Sequence, residues 1–138
     1  MSTKRVRVLL VDDEPDFVEP VSFWLQSKGY EVAAAGTGKD ALKQLEQQMP
    51  DIVFLDIHMP DMDGLETLRK IRARNKELPV IMVTATYQVA AHFPKANELG
   101  ISGFFPKHTS LSELVRIIET SLRAHVKLKP SSGGAAAA

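Results

Sequence analysis

Apolar residues along this chain fall into two alternating patterns. Short, nearly unbroken apolar runs recur at Val6–Val11, Ile52–Leu55 and Pro79–Val83. Runs of that length and continuity suit strands buried on both faces of a sheet. Between and after them the apolar positions adopt helical spacing. One stripe is Phe17, Val21, Trp24 and Leu25, and a second is Ala41, Leu42, Leu45 and Met49. A third is Leu65, Leu68 and Ile71, and the last is Leu111, Leu114, Val115, Ile118 and Leu122. Each stripe predicts an amphipathic helix with one face on a core.

Turn and breaker residues set the boundaries. Gly29 is a stop for the first helix. Pro20 conflicts with its interior, so either that helix starts late or its first turns are kinked. Tyr30–Ala35 reads as a second strand, only moderately apolar and so nearer an edge. Gly36-Thr37-Gly38 is a turn, and the second helix runs to Pro50. Arg69, Lys70, Arg72 and Arg74 crowd the end of the third helix, where the dipole favours cations. Tyr87 to Leu99 predicts a long loop and a short helix beginning near Pro94, closed by Gly100. Gly103-Phe104-Phe105 is a fifth strand, and Ser110 with Glu113 predicts a capping box on the last helix. A strand-then-helix order repeated five times predicts an α/β fold. Its sheet is parallel, covered by helices on both faces, with right-handed crossovers.

Composition narrows this picture without redirecting it. At 138 residues, 44% apolar and 25% charged, the chain suits one globular domain. We place that domain at residues 1–125 and read 126–138, which ends in a Ser/Gly/Ala tract, as a linker or appended tail. Seventeen basic residues balance 17 acidic ones, so charge gives no case for direct nucleic-acid contact or for an anionic membrane partner. The lack of cysteine excludes disulfides, thiolate metal sites and a cysteine nucleophile. No apolar run reaches membrane-spanning length, and acids follow Val11 too soon for a secretory leader. The expected location is the cytoplasm.

Strand ends hold the candidate chemistry. Asp12 and Asp13 follow the first strand, Asp56 ends the third, Thr84 ends the fourth and Lys107 follows the fifth. In a parallel sheet these ends share one edge, where open α/β sheets place their ligands. Clustered carboxylates repel, and a hard dication relieves the repulsion. An all-oxygen donor set favours Mg²⁺, with Mn²⁺ as the other option. Mg²⁺ commonly bridges carboxylates and phosphate oxygens, which makes a phosphoryl group the natural missing ligand. Asp56 is then the nucleophile, Lys107 a point charge and Thr84 a hydroxyl donor.

Taken together, these residues resemble a receiver domain of bacterial two-component response regulators. Leu10-Val11-Asp12-Asp13-Glu14-Pro15 resembles the family's acid-pair motif, and Asp56-Ile57-His58-Met59-Pro60-Asp61-Met62-Asp63-Gly64 the stretch around its phosphorylated aspartate. Thr84-Ala85 resembles its switch threonine, and Phe104 precedes Lys107 at the switch-aromatic spacing. The resemblance runs from about Arg5 to about Arg123. It implies a flavodoxin-like, doubly wound (βα)5 sheet of strand order 2-1-3-4-5. It implies Mg²⁺ held by Asp13, Asp56 and the backbone carbonyl of His58, with Asp12 acting through water. It implies a phosphoryl group received on Asp56 from a sensor histidine kinase or phosphotransfer protein. Thr84 and Phe104 would then move and reshape the face of the fourth helix, fifth strand and fifth helix. A downstream output domain or protein, or a phosphorylation-dependent homodimer, would read that face.

Three features depart from the family pattern. His108, not proline, follows Lys107, and Pro106 precedes it. A non-proline cis bond is costly, so the Lys107–His108 bond is expected to be trans or strained. Phe104 stands where tyrosine is commoner, and the segment from Thr84 to Gly100 runs slightly long. Plainer readings stand beside the functional ones. Asp12 and Asp13 could cap a helix, Thr84 could be an ordinary strand residue, and Phe104 could be core. Asp61 and Asp63 read as turn residues, and His58 as an exposed loop histidine. Two other functions stay open: a receiver-like interaction module that is never phosphorylated, and an Asp-nucleophile phosphatase of the haloacid-dehalogenase kind. The latter usually places a second acid where His58 stands and carries a cap domain for which this chain has no room.

Overall fold

The unbroken apolar runs form the middle of a single sheet. In the computed structural model, which describes residues 5–57, 63–84, 93–107 and 109–128, five strands alternate with five helices. They are β1 (Arg7–Val11), α1 (Pro15–Ser27), β2 (Glu31–Ala35), α2 (Gly38–Gln47), β3 (Ile52–Asp56) and α3 (Gly64–Arg74). β4 (Val80–Thr84), α4 (Phe93–Leu99), β5 (Gly103–Pro106) and α5 (Ser112–Leu128) complete the order. All strand pairs are parallel and the sheet order is β2-β1-β3-β4-β5, the flavodoxin-like arrangement. Every residue of β3 and β4 is buried, as their continuous apolar character requires. β2, rich in alanine, is an edge strand.

Successive strand residues point to opposite faces and so feed two cores. On one face Leu9, Val11, Val53, Leu55 and Met82 pack with Ala41 and Leu45 of α2, Leu68 and Ile71 of α3, and Ala96 of α4. On the other, Val8, Leu10, Phe54, Ile81, Val83 and Phe105 pack with Val21 and Leu25 of α1 and Leu114 and Ile118 of α5. The ring edge of Phe54 meets Phe105 at a centroid distance of 6.4 Å. Both faces of the sheet are thereby sealed, which leaves its two ends as the places for chemistry.

Local chemistry explains the helix boundaries, and several differ from the sequence-based expectation. α1 begins at Pro15, so Pro20 lies inside it and the late-start alternative fails. Pro15 occupies a first-turn position where a missing N–H costs nothing. Gly29, at φ 96°, ends α1, and Gly100, at φ 95°, follows α4; both conformations favour glycine. Thr37 caps α2 by accepting from the Asp40 N–H at 3.0 Å. α2 stops at Gln47, because Gln48 is already extended ahead of Pro50. Met49 is therefore no part of a helical face and is 47% exposed. α4 starts at Phe93 with Pro94 next, as expected. The loop expected before it, from Tyr87, lies outside the described residues.

The capping box expected from Ser110 and Glu113 does not form. The Ser110 hydroxyl pairs with that of Ser112 at 2.9 Å, and the Glu113 N–H donates to the Ser110 carbonyl at 3.1 Å. The Glu113 carboxylate faces Arg116 instead, at 3.4 Å. A short hydroxyl–hydroxyl contact has taken the place of the helix cap. α5 itself carries on to Leu128.

Candidate functional site

Parallel pairing brings four strand ends to one edge of the sheet. Asp56 is the last residue of β3 and stands in register with Val83 of β4. Asp12 follows β1, and its N–H continues the ladder to the Ala35 carbonyl at 3.0 Å. Lys107 follows β5 and donates its N–H to the carbonyl of Thr84, the last residue of β4, at 2.7 Å. Backbone hydrogen bonds thus fix three of these positions before any side chain is considered.

Those positions put Asp12, Asp13 and Asp56 together, with one oxygen from each carboxylate lying within 4.8 Å of the others. Asp12 and Asp56 are each only 4% exposed, whereas Asp13 is open to solvent. Lys107 supplies the opposing charge. Its Nζ lies 2.9 Å from Asp12 Oδ2 and 3.9 Å from Asp56 Oδ2. Burial pushes the Asp12 carboxyl above its ordinary value, although the Glu14 N–H, at 2.9 Å from Oδ1, and the Lys107 ammonium pull the other way. Burial alone would lower the Lys107 ammonium, but its contacts with Glu14 and Asp12 and the charge of Asp56 outweigh that and raise it.

Two neighbours of Lys107 were not picked out from the sequence. Its ammonium forms an ion pair with Glu14, and it sits 5.0 Å from the centre of the Phe17 ring. Glu14 reads in the sequence as part of an acid-pair motif with no task of its own, and Phe17 as core. The missed signal is that both lie within one helical turn of the acid pair, so the start of α1 must face the same edge.

Behind Asp56 the chain is held by the start of α3. Asp63 caps this helix, its Oδ1 accepting from the Glu66 N–H at 2.9 Å, so it is the local structural residue expected rather than a ligand. Gly64 donates its N–H to the Ile57 carbonyl at 2.9 Å. A Cβ at position 64 would lie 2.3 Å from the Asp56 carbonyl oxygen and 2.7 Å from the Ile57 Cα, so the helix approaches this closely only with glycine there.

Thr84 is buried at the same edge. Phe104, in register with Met82, is half-buried and packs on the core beneath α3 and α4, whereas its neighbour Phe105 is fully buried on the opposite face. His58 and Asp61 lie outside the described residues, as do His108 and hence the Lys107–His108 bond.

Asp12 Oδ2 has the Lys107 charge nearby but receives no well-directed hydrogen bond. A buried oxygen of this kind, beside two more carboxylates and with no nitrogen or sulfur donor in the cluster among the described residues, fits a hard, oxygen-seeking cation.

The sequence profile of the response regulator receiver domain matches residues 8–119. This chain belongs to that family. It is 38% identical over 118 residues to a probable transcriptional regulatory protein, TcrX, of Mycobacterium tuberculosis, a match covering 86% of this chain and 50% of TcrX. The chain thus spans about half the length of that relative. Among solved structures, the receiver domain of NtrX from Brucella abortus superposes with a TM-score of 0.79 at 30% identity, covering 84% of this chain and 98% of that one. A CheY-like receiver protein from Methanospirillum hungatei gives 0.82 at 26% identity, covering 91% and 100%. CheY4 of Vibrio cholerae gives 0.80 at 28% identity, covering 86% and 99%. Receiver domains are signalling domains of two-component systems, so the acid cluster lies in a domain of that class. No described helix is long and apolar enough to cross a membrane.

Proposed function

We propose that this receiver domain is a phosphorylation-controlled switch with Asp56 as the phosphoacceptor. The observation that carries the reading is the meeting of Asp12, Asp13 and Asp56 within 4.8 Å at the edge where Lys107 lies 3.9 Å from Asp56. An Asp56 carboxylate oxygen attacks the phosphorus of a phosphohistidine on a sensor kinase or phosphotransfer protein. The new O–P bond forms as the P–N bond breaks, and the imidazole nitrogen leaves with the electron pair. Among the described residues Lys107 is the basic side chain that the strand ends deliver here, and it meets charge on the transferring oxygens. Asp13, Asp56, the His58 carbonyl and, through water, Asp12 would hold Mg²⁺, which when bound neutralises phosphoryl charge. Water later attacks the phosphorus, the Asp56 O–P bond breaks, and inorganic phosphate leaves as the carboxylate is restored.

Thr84 and Phe104 serve as the relay. Thr84 ends the strand beside Asp56 and offers a hydroxyl to a phosphoryl oxygen. Phe104 lies on the neighbouring strand and is incompletely buried, and its ring would turn inward on phosphorylation. Its movement alters the surface made by α4, β5 and α5, which an output domain or protein reads.

The test is labelling with a small phosphodonor such as acetyl phosphate. Intact mass should show one phosphoryl group on the wild type in the presence of Mg²⁺, and none on Asp56→Asn or after chelation. Equal labelling of Asp56→Asn would refute the assignment. Turnover of outside phosphate esters would favour a phosphatase, and no labelling at all a purely binding receiver.

A further inference from the structure

We infer that Glu14 is a positioning residue that holds Lys107 away from Asp56 until a phosphoryl group arrives. This inference rests on the reading of Asp56 as phosphoacceptor. Lys107 is 11% exposed, and its ammonium is shared unequally among the acids around it. It pairs with Glu14 and stands 2.9 Å from Asp12, but it is 3.9 Å from Asp56, beyond hydrogen-bond reach. The cation is therefore displaced from the nucleophile toward the start of α1. The Phe17 ring, 5.0 Å from Nζ, supports the ammonium in that displaced position.

Glu14 is held in place by its own backbone. Its N–H donates to Asp12 Oδ1, and its carbonyl accepts from Phe17 and Val18 to open α1. Its backbone torsions at the N-cap position are extended, and its side chain makes no cap hydrogen bond. The carboxylate is thus committed to Lys107 rather than to the helix. It is also 60% exposed, so water can replace the lysine cheaply when the ammonium moves.

A phosphoryl group on Asp56 brings oxygens that compete with Glu14 for the same ammonium. Lys107 must release Glu14 to reach them. With its Glu14 partner open to water, this ion pair is worth about a two- to fivefold factor in an equilibrium. Glu14 therefore acts as a brake of that size on occupation of the phosphoryl site, graded by salt, which weakens an exposed pair more than a buried one.

The experiment compares wild type, Glu14→Gln, Lys107→Ala and the double variant. The probe is beryllofluoride with Mg²⁺ as a phosphoryl mimic, with affinity read from amide chemical shifts. Glu14→Gln should bind the mimic about two- to fivefold more tightly than wild type, and added salt should shrink the difference. In the Lys107→Ala background the same change should have no effect. Before any mimic is added, the Lys107 ammonium protons should exchange with solvent faster in Glu14→Gln. Unchanged or weaker mimic binding in Glu14→Gln would overturn the inference, as would an equal gain without Lys107. If wild type takes up neither the mimic nor a phosphoryl group at Asp56, the phosphoacceptor reading fails and this inference falls with it. Labelling of Asp56 with no effect of Glu14 would sink the inference alone.

Discussion

Gly64 carries a demand that its side-chain-free backbone hides. The start of α3 leans on the carbonyl of Asp56 so closely that any Cβ would meet backbone atoms, which cannot swing aside. Gly64→Ala should cost roughly 1–3 kcal/mol or more in urea unfolding and disturb the aim of Asp56 at the same time. An alanine variant of wild-type stability would show that the contact is looser than described. The ionisable residues make an opposite kind of prediction. Asp12 is raised by burial, so its proton is held more tightly in the fold than in the unfolded chain. Its ionisation then lowers stability as pH climbs above 3.8 and through the raised value. Without metal, Asp12→Asn should be more stable than wild type near neutrality, and the gap should close in acid. Lys107 runs the other way: its raised ammonium contributes stability in full below 10.5, lost as pH rises through its folded value. A stability gap for Asp12→Asn that widened toward acid pH would contradict this assignment.

Elements were legible in the sequence wherever a periodic pattern coincided with a strong local signal. The run Ile52–Leu55 and the stripe Leu65, Leu68 and Ile71 each gave one consistent answer, and the structure agrees. Where local signals competed, the outcome was decided by packing. Pro20 is tolerated inside α1 because Val21 and Leu25 bury on the far side and anchor the helix through tertiary contact. Pro20 itself is exposed, so replacing it removes no packing. Pro20→Ala should stabilise the domain by roughly 1–3 kcal/mol by restoring a helical N–H, in part offset by a more flexible unfolded chain. No gain in thermal or urea midpoint would mean that α1 already accommodates the ring without loss. The cap of α3 is a simpler case. Asp63→Ala should cost about 1 kcal/mol, and the acid-facing start of that helix should loosen in amide exchange. The expected capping box of α5 failed because two nearby serines satisfy each other, a choice that motif spacing does not register.

For the whole molecule, the sheet order explains why distant residues meet. Asp12, Asp56, Thr84 and Lys107 were legible as a set because parallel strands share one edge, and the structure brings them to it. The engagement of Lys107 with Glu14 and Phe17 was not legible, since it depends on how α1 leaves that edge rather than on any motif. Three neighbouring carboxylates store repulsion that a divalent ion should release. At roughly a hundredfold excess over its dissociation constant, Mg²⁺ should stabilise the domain by ~2.7 kcal/mol. For a chain of this size that is a rise of roughly 10 °C in unfolding midpoint. Asp13→Asn should blunt the rise, and a rise equal in both would place the ion elsewhere.

The most direct measurement is chemical trapping of the labelled site. After incubation with acetyl phosphate and Mg²⁺, borohydride reduction converts an aspartyl phosphate to homoserine, which peptide mass spectrometry can locate. Homoserine at position 56, lost on chelation, is the predicted result. Homoserine at position 12 or 13 instead, or phosphate taken up with none formed at 56, would contradict Asp56 as the phosphoacceptor.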